Sequence, residues 1–361
     1  MKLTVQVQLL PDADQAAALR ATIVRFNEAA NWVAAECFSR REANQFEVRK
    51  FAYRHLRGHF GLSSQTAQLC IKNVCDAYKR DKAKRLRVRK HAAIVYDQRT
   101  MRFKGIDRVS LLTLAGRVVV PFVLGAYQRE RFTLVKGQAD LVLREDGKWF
   151  LLVTADVPDG APVPVADFLG VDLGVAQIAT DSDGTAHTGA KVEKVRRKHN
   201  LQRKRLQRRN TRGARKKLKR IAGKEARFRR YENHVVSKQV VEAARRTGRG
   251  IVLEELKGIR ERIGARGGEA RNRLSGWAFS QLRQFIEYKA KLAGVPVVLV
   301  DPRNTSRTCS ECGHCEKSNR KTQDRFSCKA CGLTCNADWN AARNLRALGI
   351  RNVPTELATA S

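Results

Sequence analysis

Four cysteines near the end of the chain, Cys309-x2-Cys312 and Cys328-x2-Cys331, form two thiolate pairs separated by fifteen residues. Two Cys-x-x-Cys pairs at this ribbon spacing can close a tetrahedral Zn²⁺ site with every position filled by protein, which makes the metal structural. Gly313 and Gly332 directly follow the second cysteine of each pair, where a tight knuckle needs an unhindered backbone. Cys315, Cys335 and His314 are spare donors that compete for the same ion. Asp338 stands seven residues after Cys331, in the run Asn336-Ala-Asp338-Trp-Asn340-Ala-Ala. Its carboxylate reads either as one that holds a metal ion over a phosphate or as the N-cap of the last helix.

Two more acids occupy places where a charge is costly without a partner. Asp172 ends the apolar strand Phe168-Leu-Gly-Val-Asp172, and Glu254-Glu255 end Ile251-Val252-Leu253. Asp172 also reads as a turn-former before Gly174. Glu254 and Glu255 face opposite ways in a strand, so one alone can point at a site, and the residues leave that choice open. Three acids from two strand ends and a helix start can converge on one sheet edge, where oxygen ligands suit Mg²⁺. Two such ions would activate water and stabilise the leaving 3′ oxygen of a phosphodiester.

The elements that must position these groups follow from pattern. Residues 1–10 alternate like a strand, and Pro11-Asp12 open a helix with Leu19, Ile23, Phe26, Val33 and Cys37 on one face. Helical pattern continues through Val48 to Leu56 and Ala67 to Tyr78, with Cys70 and Cys75 read as core. A charged run from Lys79 to Lys90 marks a boundary. Strands are expected at Val109–Leu114, Arg117–Phe122, Phe132–Val135, Ala139–Leu143 and Trp149–Thr154, with a hairpin at Asp146-Gly147. They suggest a β-barrel or curled sheet that includes strand 1–10 and carries the helices as an inserted lobe. Pro158 to Pro164 reads as a linker. Beyond it lie a hairpin through Asp172 to the turn Asp181-Ser-Asp-Gly184 and one long basic helix from 191 to about 246. The strand Gly250–Leu253, a helix at 277–293, the strand Val295–Val300, the cysteine segment and a last helix from about Asp338 to Leu348 complete a mixed α/β layer.

Lys and Arg number 71 against 35 Asp and Glu, a formal net charge of +36. A polyanion is the economical partner, and RNA or DNA fits it. No apolar stretch approaches the roughly 20 residues of a membrane span. The start reads as a strand rather than a signal peptide, and nine cysteines then point to a reducing, cytoplasmic compartment. Residues 191–230 hold twenty Lys or Arg and two acids. Such a stretch repels itself and is expected to order chiefly when phosphates neutralise it. Arg196, Arg203, Arg208, Arg212, Arg215 and Lys219 are its candidate phosphate contacts, which position a duplex without reading bases. Lys317, Arg320, Lys321 and Arg325, between the cysteine pairs, are further candidates.

The order Gly-Val-Asp172-Leu-Gly, Val-Leu-Glu254-Glu-Leu, four cysteines, then Asn-Ala-Asp338-Trp-Asn-Ala-Ala-Arg-Asn resembles the TnpB (OrfB) proteins of bacterial insertion sequences, relatives of type V CRISPR effectors. The stretch Asp301-Pro-Arg-Asn-Thr305-Ser306-Arg-Thr-Cys309-Ser-Glu-Cys312-Gly, and Tyr288-Lys289 before it, resemble the family's pattern. The N-terminal strand, Pro11 and the helical lobe extend the resemblance over nearly the whole chain.

The resemblance implies a multi-domain α+β protein. A wedge-like β-barrel (1–11 and 91–160) would carry an inserted helical recognition lobe (12–90). A RuvC-like, RNase H-type nuclease domain (165–304 and 336–349) would carry an inserted zinc module that binds target nucleic acid (305–335), and 350–361 would form a tail. Asp172, Glu254 and Asp338 would be the catalytic metal ligands, the family register favouring Glu254 over Glu255. The implied activity is RNA-guided DNA cleavage next to a short transposon-associated motif, by a monomer with a guide RNA from the transposon end and double-stranded target DNA. The alternatives are a compact type V CRISPR effector, an RNA-guided repressor that does not cut, and a strand-transfer transposase.

Overall fold

The computed structural model describes residues 1–79, 81, 83–174, 176–255, 279–322 and 324–352. The start of the expected helix at 277, Val175 and nearly all of the expected tail therefore lie outside the described residues. The chain divides into two compact units, the first Met1–Pro158 and the second from Asp159 onward.

In the first unit, strand β1 (Lys2–Leu9) is followed by helices α1 (Ala13–Arg40), α2 (Gln45–Gly58) and α3 (Ser64–Tyr78). Each helix starts where an oxygen-bearing side chain caps it: Asp12 accepts from Gln15 N, Asn44 from Phe46 N and Ser63 from Thr66 N. The chain then returns as β2 (Ile94–Tyr96), β3 (Met101–Lys104), β4 (Arg108–Thr113), β5 (Gly116–Val123), α4 (Ala126–Phe132), β6 (Val135–Leu143) and β7 (Trp149–Asp156). The seven strands lie in the order β2-β6-β7-β1-β5-β4-β3. The two edge strands, β2 and β3, are consecutive in sequence and joined only by residues 97–100. That short connection forces the sheet to curl until its edges meet, a nearly closed barrel. Leu112 N donates to Thr100 O and the Tyr96 hydroxyl to Leu112 O across this seam, both within hydrogen-bond distance.

The barrel and the inserted helices share one apolar core that includes Val5, Val7, Ile23, Phe26, Leu111 and Leu151. Cys70 and Cys75 are buried in it. The strand expected at Phe132–Val135 is corrected: Phe132 ends α4, and β6 begins at Val135. Phe132 stacks edge-on against Phe103 at 4.8 Å, so its apolar side chain plugs the barrel from a helix.

In the second unit, β8 (Phe168–Asp172), β9 (Gln177–Asp181) and β10 (Ala186–Thr188) form an antiparallel meander. Helices α5 (Ala190–Arg209) and α6 (Arg212–Arg246) lead to β11 (Gly250–Glu254), α7 (Phe279–Leu292) and β12 (Val297–Val300). The order is β10-β9-β8-β11-β12, with β11 parallel to both β8 and β12. Parallel neighbours require crossovers, and the basic helices supply one of them. Residues of α6 and α7 cover one face, including Val236, Val240, Leu282 and Ile286. Leu345 of α8 (Ala337–Arg351) packs on Phe168, Val252 and Val300 on the other.

The single basic helix expected from 191 to 246 is two helices. Asn210 turns the backbone left-handed at φ 46°, and the Thr211 side chain caps α6 by accepting from Ala214 N. Asn followed by Thr is a helix stop and start, overridden in the sequence reading by the continuous run of charge.

Candidate functional site

The parallel ladder between β8 and β11 pairs Val171 with Leu253, so Asp172 and Glu254 end adjacent strands side by side. Their carboxyl groups lie close enough to act on one another's titration. The backbone N–H of Glu255 continues the ladder to Val300 O, and alternation along the strand sends its side chain to the face opposite Glu254. Geometry thus selects Glu254 as the companion of Asp172.

Asp338 reaches the same place from the other layer. Asn336, not Asp338, is the N-cap of α8, accepting from the N–H of both Asp338 and Trp339. That corrects the capping reading and leaves the Asp338 carboxylate free to face the sheet. Gly170 lets α8 approach: a Cβ there would meet Ala342 O at 2.0 Å. Trp339 Nε1 donates to Ser182 O at 3.1 Å and fixes the first turn of the helix over the β9–β10 turn.

Burial is the first cause that pushes the Asp172 carboxyl well above the usual carboxylate range, and the charges of Glu254 and Asp338 push it further. Burial likewise raises Glu254 and Asp338. Arg320 opposes the shift in all three, with Nη2 3.1 Å from Asp338 Oδ1. Three clustered carboxylates, Asp338 buried and Asp172 and Glu254 half-buried, suit a hard cation with oxygen ligands.

Arg320 was expected among loop residues facing nucleic acid, but the structure places it at the acids. Buried Asn319 holds it there, donating to Arg307 O and His314 O and accepting from Lys329 N. This clamp depends on contacts made by folding the loop and has no signature in the spacing of residues. Lys317, Lys321 and Arg325 are exposed.

Among the described residues, Cys309, Cys312, Cys328 and Cys331 have ligand atoms that all lie within 4.8 Å of one another. The sulfur separations are 3.6 Å for Cys309 to Cys331 and 3.6 Å for Cys312 to Cys328. Tetrahedral Zn–S bonds of about 2.3 Å place sulfurs about 3.8 Å apart, so the quartet fits zinc. The two knuckles are alike: Cys309 N donates to His314 O, and Cys328 N to Leu333 O. Gly313 and Gly332 adopt φ 75° and 77°, the left-handed conformation expected of them. Backbone N–H groups of Cys331 and Ala330 help pull the Cys328 thiol down to about 6, toward the thiolate that binds metal. Of the spare donors, His314 pairs with Glu316 at 3.2 Å, while Cys335 lies in the strand pair β13 (Arg325–Ser327) and β14 (Thr334–Asn336).

The expected phosphate contacts divide. Arg196 pairs with Glu193 at 2.7 Å, and Arg203 joins α5 to α6 through Glu225, which is 6 % exposed and also 3.5 Å from His199. Arg215 donates to Asn210 Oδ1 at 3.0 Å. Arg208, Arg212 and Lys219 are exposed.

The Cas12f1-like TNB domain family matches residues 279–345, a span from α7 through the cysteines to Asp338. A CRISPR-associated endodeoxyribonuclease Cas12f1 of Sulfoacidibacillus thermotolerans is 33 % identical over 274 residues, covering 70 % of this chain and 61 % of that protein. InsQ of Escherichia coli strain K12, named for RNA-guided DNA endonuclease activity, is 34 % identical over 224 residues, covering 56 % of this chain and 54 % of that protein. TnpB-like proteins are also among the relatives. The chain is a relative of the TnpB and Cas12f proteins. It spans 61 % and 54 % of the lengths of the first two. The fold is shared with the mini-RNA-guided endonuclease CRISPR-Cas_phi3, at a TM-score of 0.59 and 11 % identity over 98 % of this chain and 93 % of that one. Among the described residues no helix is long and apolar enough to cross a membrane.

Proposed function

We propose that this protein is an RNA-guided, Mg²⁺-dependent DNA endonuclease of an insertion sequence, cutting target DNA beside a short transposon-associated motif. The convergence of Asp172, Glu254 and Asp338 carries the reading. These three would hold two Mg²⁺ ions, which when bound supply an activated water and charge stabilisation at the leaving oxygen. The cysteine quartet would hold structural Zn²⁺. The β10-β9-β8-β11-β12 order, with acids at the ends of β8 and β11 and the start of the facing helix, supports a RuvC-like, RNase H-type domain at 165–304 and 336–349.

The chain's own residues orient and neutralise. Arg320 offers a guanidinium beside the acids, suited to a phosphate oxygen of the strand being cut. Exposed Arg208, Arg212 and Lys219 would track the backbone of a guide–target duplex. The barrel (1–11 and 91–160) and helical lobe (12–90) would serve as wedge and recognition lobe, and 305–335 as the target-binding module. We take the working form to be a cytoplasmic monomer with its RNA.

The names of the relatives support RNA guidance and DNA cleavage together. Similarity to Cas12f1 favours one second reading, a compact type V CRISPR effector. The test is cleavage of matched DNA by the protein with its co-purified RNA. Cutting that is lost in Asp172→Ala and after RNase treatment upholds the proposal; cutting that survives either overturns it. Sequencing the RNA separates a transposon-end guide from a CRISPR guide.

A further inference from the structure

Thr180 stands directly opposite Asp172 in the antiparallel β8–β9 ladder. Opposed residues of such a pair project from the same face, with Cβ atoms about 4.5–5.5 Å apart. Gly170, two residues before Asp172, meets α8 on that face, so Thr180 looks toward the helix that carries Asp338. Its side chain is buried, at 4 % exposure, and its Oγ1 has no hydrogen-bond partner among the described residues.

The next two residues satisfy their polar atoms locally: Asp181 Oδ1 accepts from Asp183 N and Thr185 N, and Ser182 Oγ accepts from Gly170 N. Burying a hydroxyl without a partner is costly, and water or an ion commonly completes such a group. Valine would fill the same volume with no polar atom to satisfy. A hydroxyl here both donates and accepts, which matches a water molecule on one side and a carboxylate on the other.

We infer that Thr180 is a positioning residue of the acid cluster, its hydroxyl holding a water of a hydrated divalent cation against Asp172. The inference rests on Asp172 being a metal ligand. Mg²⁺ keeps several of its waters when protein-bound, so a site with few carboxylates needs groups that hold those waters. Thr180 Oγ1 would accept a hydrogen bond from the water and donate one to the Asp172 carboxylate, with no covalent change.

The test measures Mn²⁺ binding to the full-length, zinc-loaded, RNA-free chain by electron paramagnetic resonance of the free ion. Thr180→Val is expected to weaken binding about 10-fold, as loss of a group behind a ligand typically does, while Thr180→Ser restores it to within about twofold. The melting temperature of zinc-loaded Thr180→Val in buffer free of Mg²⁺ and Mn²⁺ should not fall, because an unpaired hydroxyl is exchanged for a methyl of the same shape. Thr180→Ala provides a second hydroxyl-free variant and should show the same loss of affinity. Wild-type affinity in both hydroxyl-free variants overturns the role of Thr180. Asp172→Asn separates the two levels: if it loses the ion and the Thr180 variants do not, only this inference falls. If Asp172→Asn binds as wild type, the metal reading falls with it.

Discussion

Asp172 and Glu254, 82 positions apart in the chain, end neighbouring parallel strands with their carboxyl groups close enough to act on one another's titration. Two carboxyls in that arrangement share a proton unless a cation replaces it. The pair therefore distinguishes the acids that face the site from Glu255, which belongs to the same sequence run but not to the same face.

Substitution should follow that division. Asp172→Ala and Glu254→Gln are each expected to slow DNA cleavage more than about 100-fold, beyond the typical cost of disturbing a group behind a metal ligand. Glu255→Gln should stay within about threefold, since strand alternation turns its side chain away from Asp172 and Glu254. Single-turnover cutting of matched DNA measures both.

Without divalent ions, the raised Asp172 carboxyl makes stability depend on pH. Its folded pKa lies above the unfolded one, so its contribution is fully present below the unfolded value near 3.9 and is lost as pH rises through the folded value. Asp172→Asn should raise the melting temperature in chelator at neutral pH and flatten its fall with rising pH. Added Mg²⁺ should close the gap by stabilising the wild type alone. Thermal denaturation across pH, with and without Mg²⁺, tests each part.

Half-buried Lys289 gives an independent pH signal. Burial between α6 and α7 pulls its amine down to about 8, and Nζ donates to His234 O and Ser237 Oγ. The folded state then releases the proton first, so stability rises from about pH 8 toward the unfolded value near 10.4. Lys289→Met should remove this rise. Ser237 retains its bonds to Asn233 O and His234 O, so the variant should fold. The difference in melting temperature between the two proteins at pH 8 and pH 10 is the readout.

The basic helices separate stability from binding. Arg203→Ala leaves buried Glu225 poorly compensated and should cost about 1–3 kcal/mol, because Arg203 is itself partly exposed. Arg208→Ala should alter stability by less than about 0.5 kcal/mol yet lower the salt dependence of RNA binding by about one counterion. Chemical denaturation and RNA titrations at several salt concentrations check the contrast.

A single equivalent of zinc should accompany each chain and be released when thiols are blocked. Cys309→Ser and Cys328→Ser should lose it, whereas Cys315→Ser and Cys335→Ser should keep it, as neither thiol belongs to the quartet. Elemental analysis and a colorimetric zinc chelator measure the stoichiometry.

Where local chemistry decided a feature, the sequence was informative. The cysteine pairs, their glycines, the strand-end acids and the cap Asp12 follow from short-range rules. Features set by competition or by distant contacts were harder to read. The charge run at 191–246 concealed the stop at Asn210, and the apolar Phe132 suggested a strand where a helix was filling the barrel. The pairing of Asp172 with Glu254 required a register between strands that only folding fixes. Arg320 depended on Asn319 gripping carbonyls on both sides of a loop.

Strand β14 passes into α8 without an intervening loop, and Asn340 Nδ2 bonds Thr308 O at 2.8 Å while its Oδ1 accepts from Ser310 N at 3.0 Å. Asn344 adds bonds to Thr305 O and Thr308 O. One helix is thus stitched to the first thiol pair and carries Asp338 as its second residue. An oxidant that opened the sulfur quartet would loosen the bearing on which that acid turns. Damage by peroxide should silence cutting in step with the release of zinc, even though no thiol takes part in the hydrolysis.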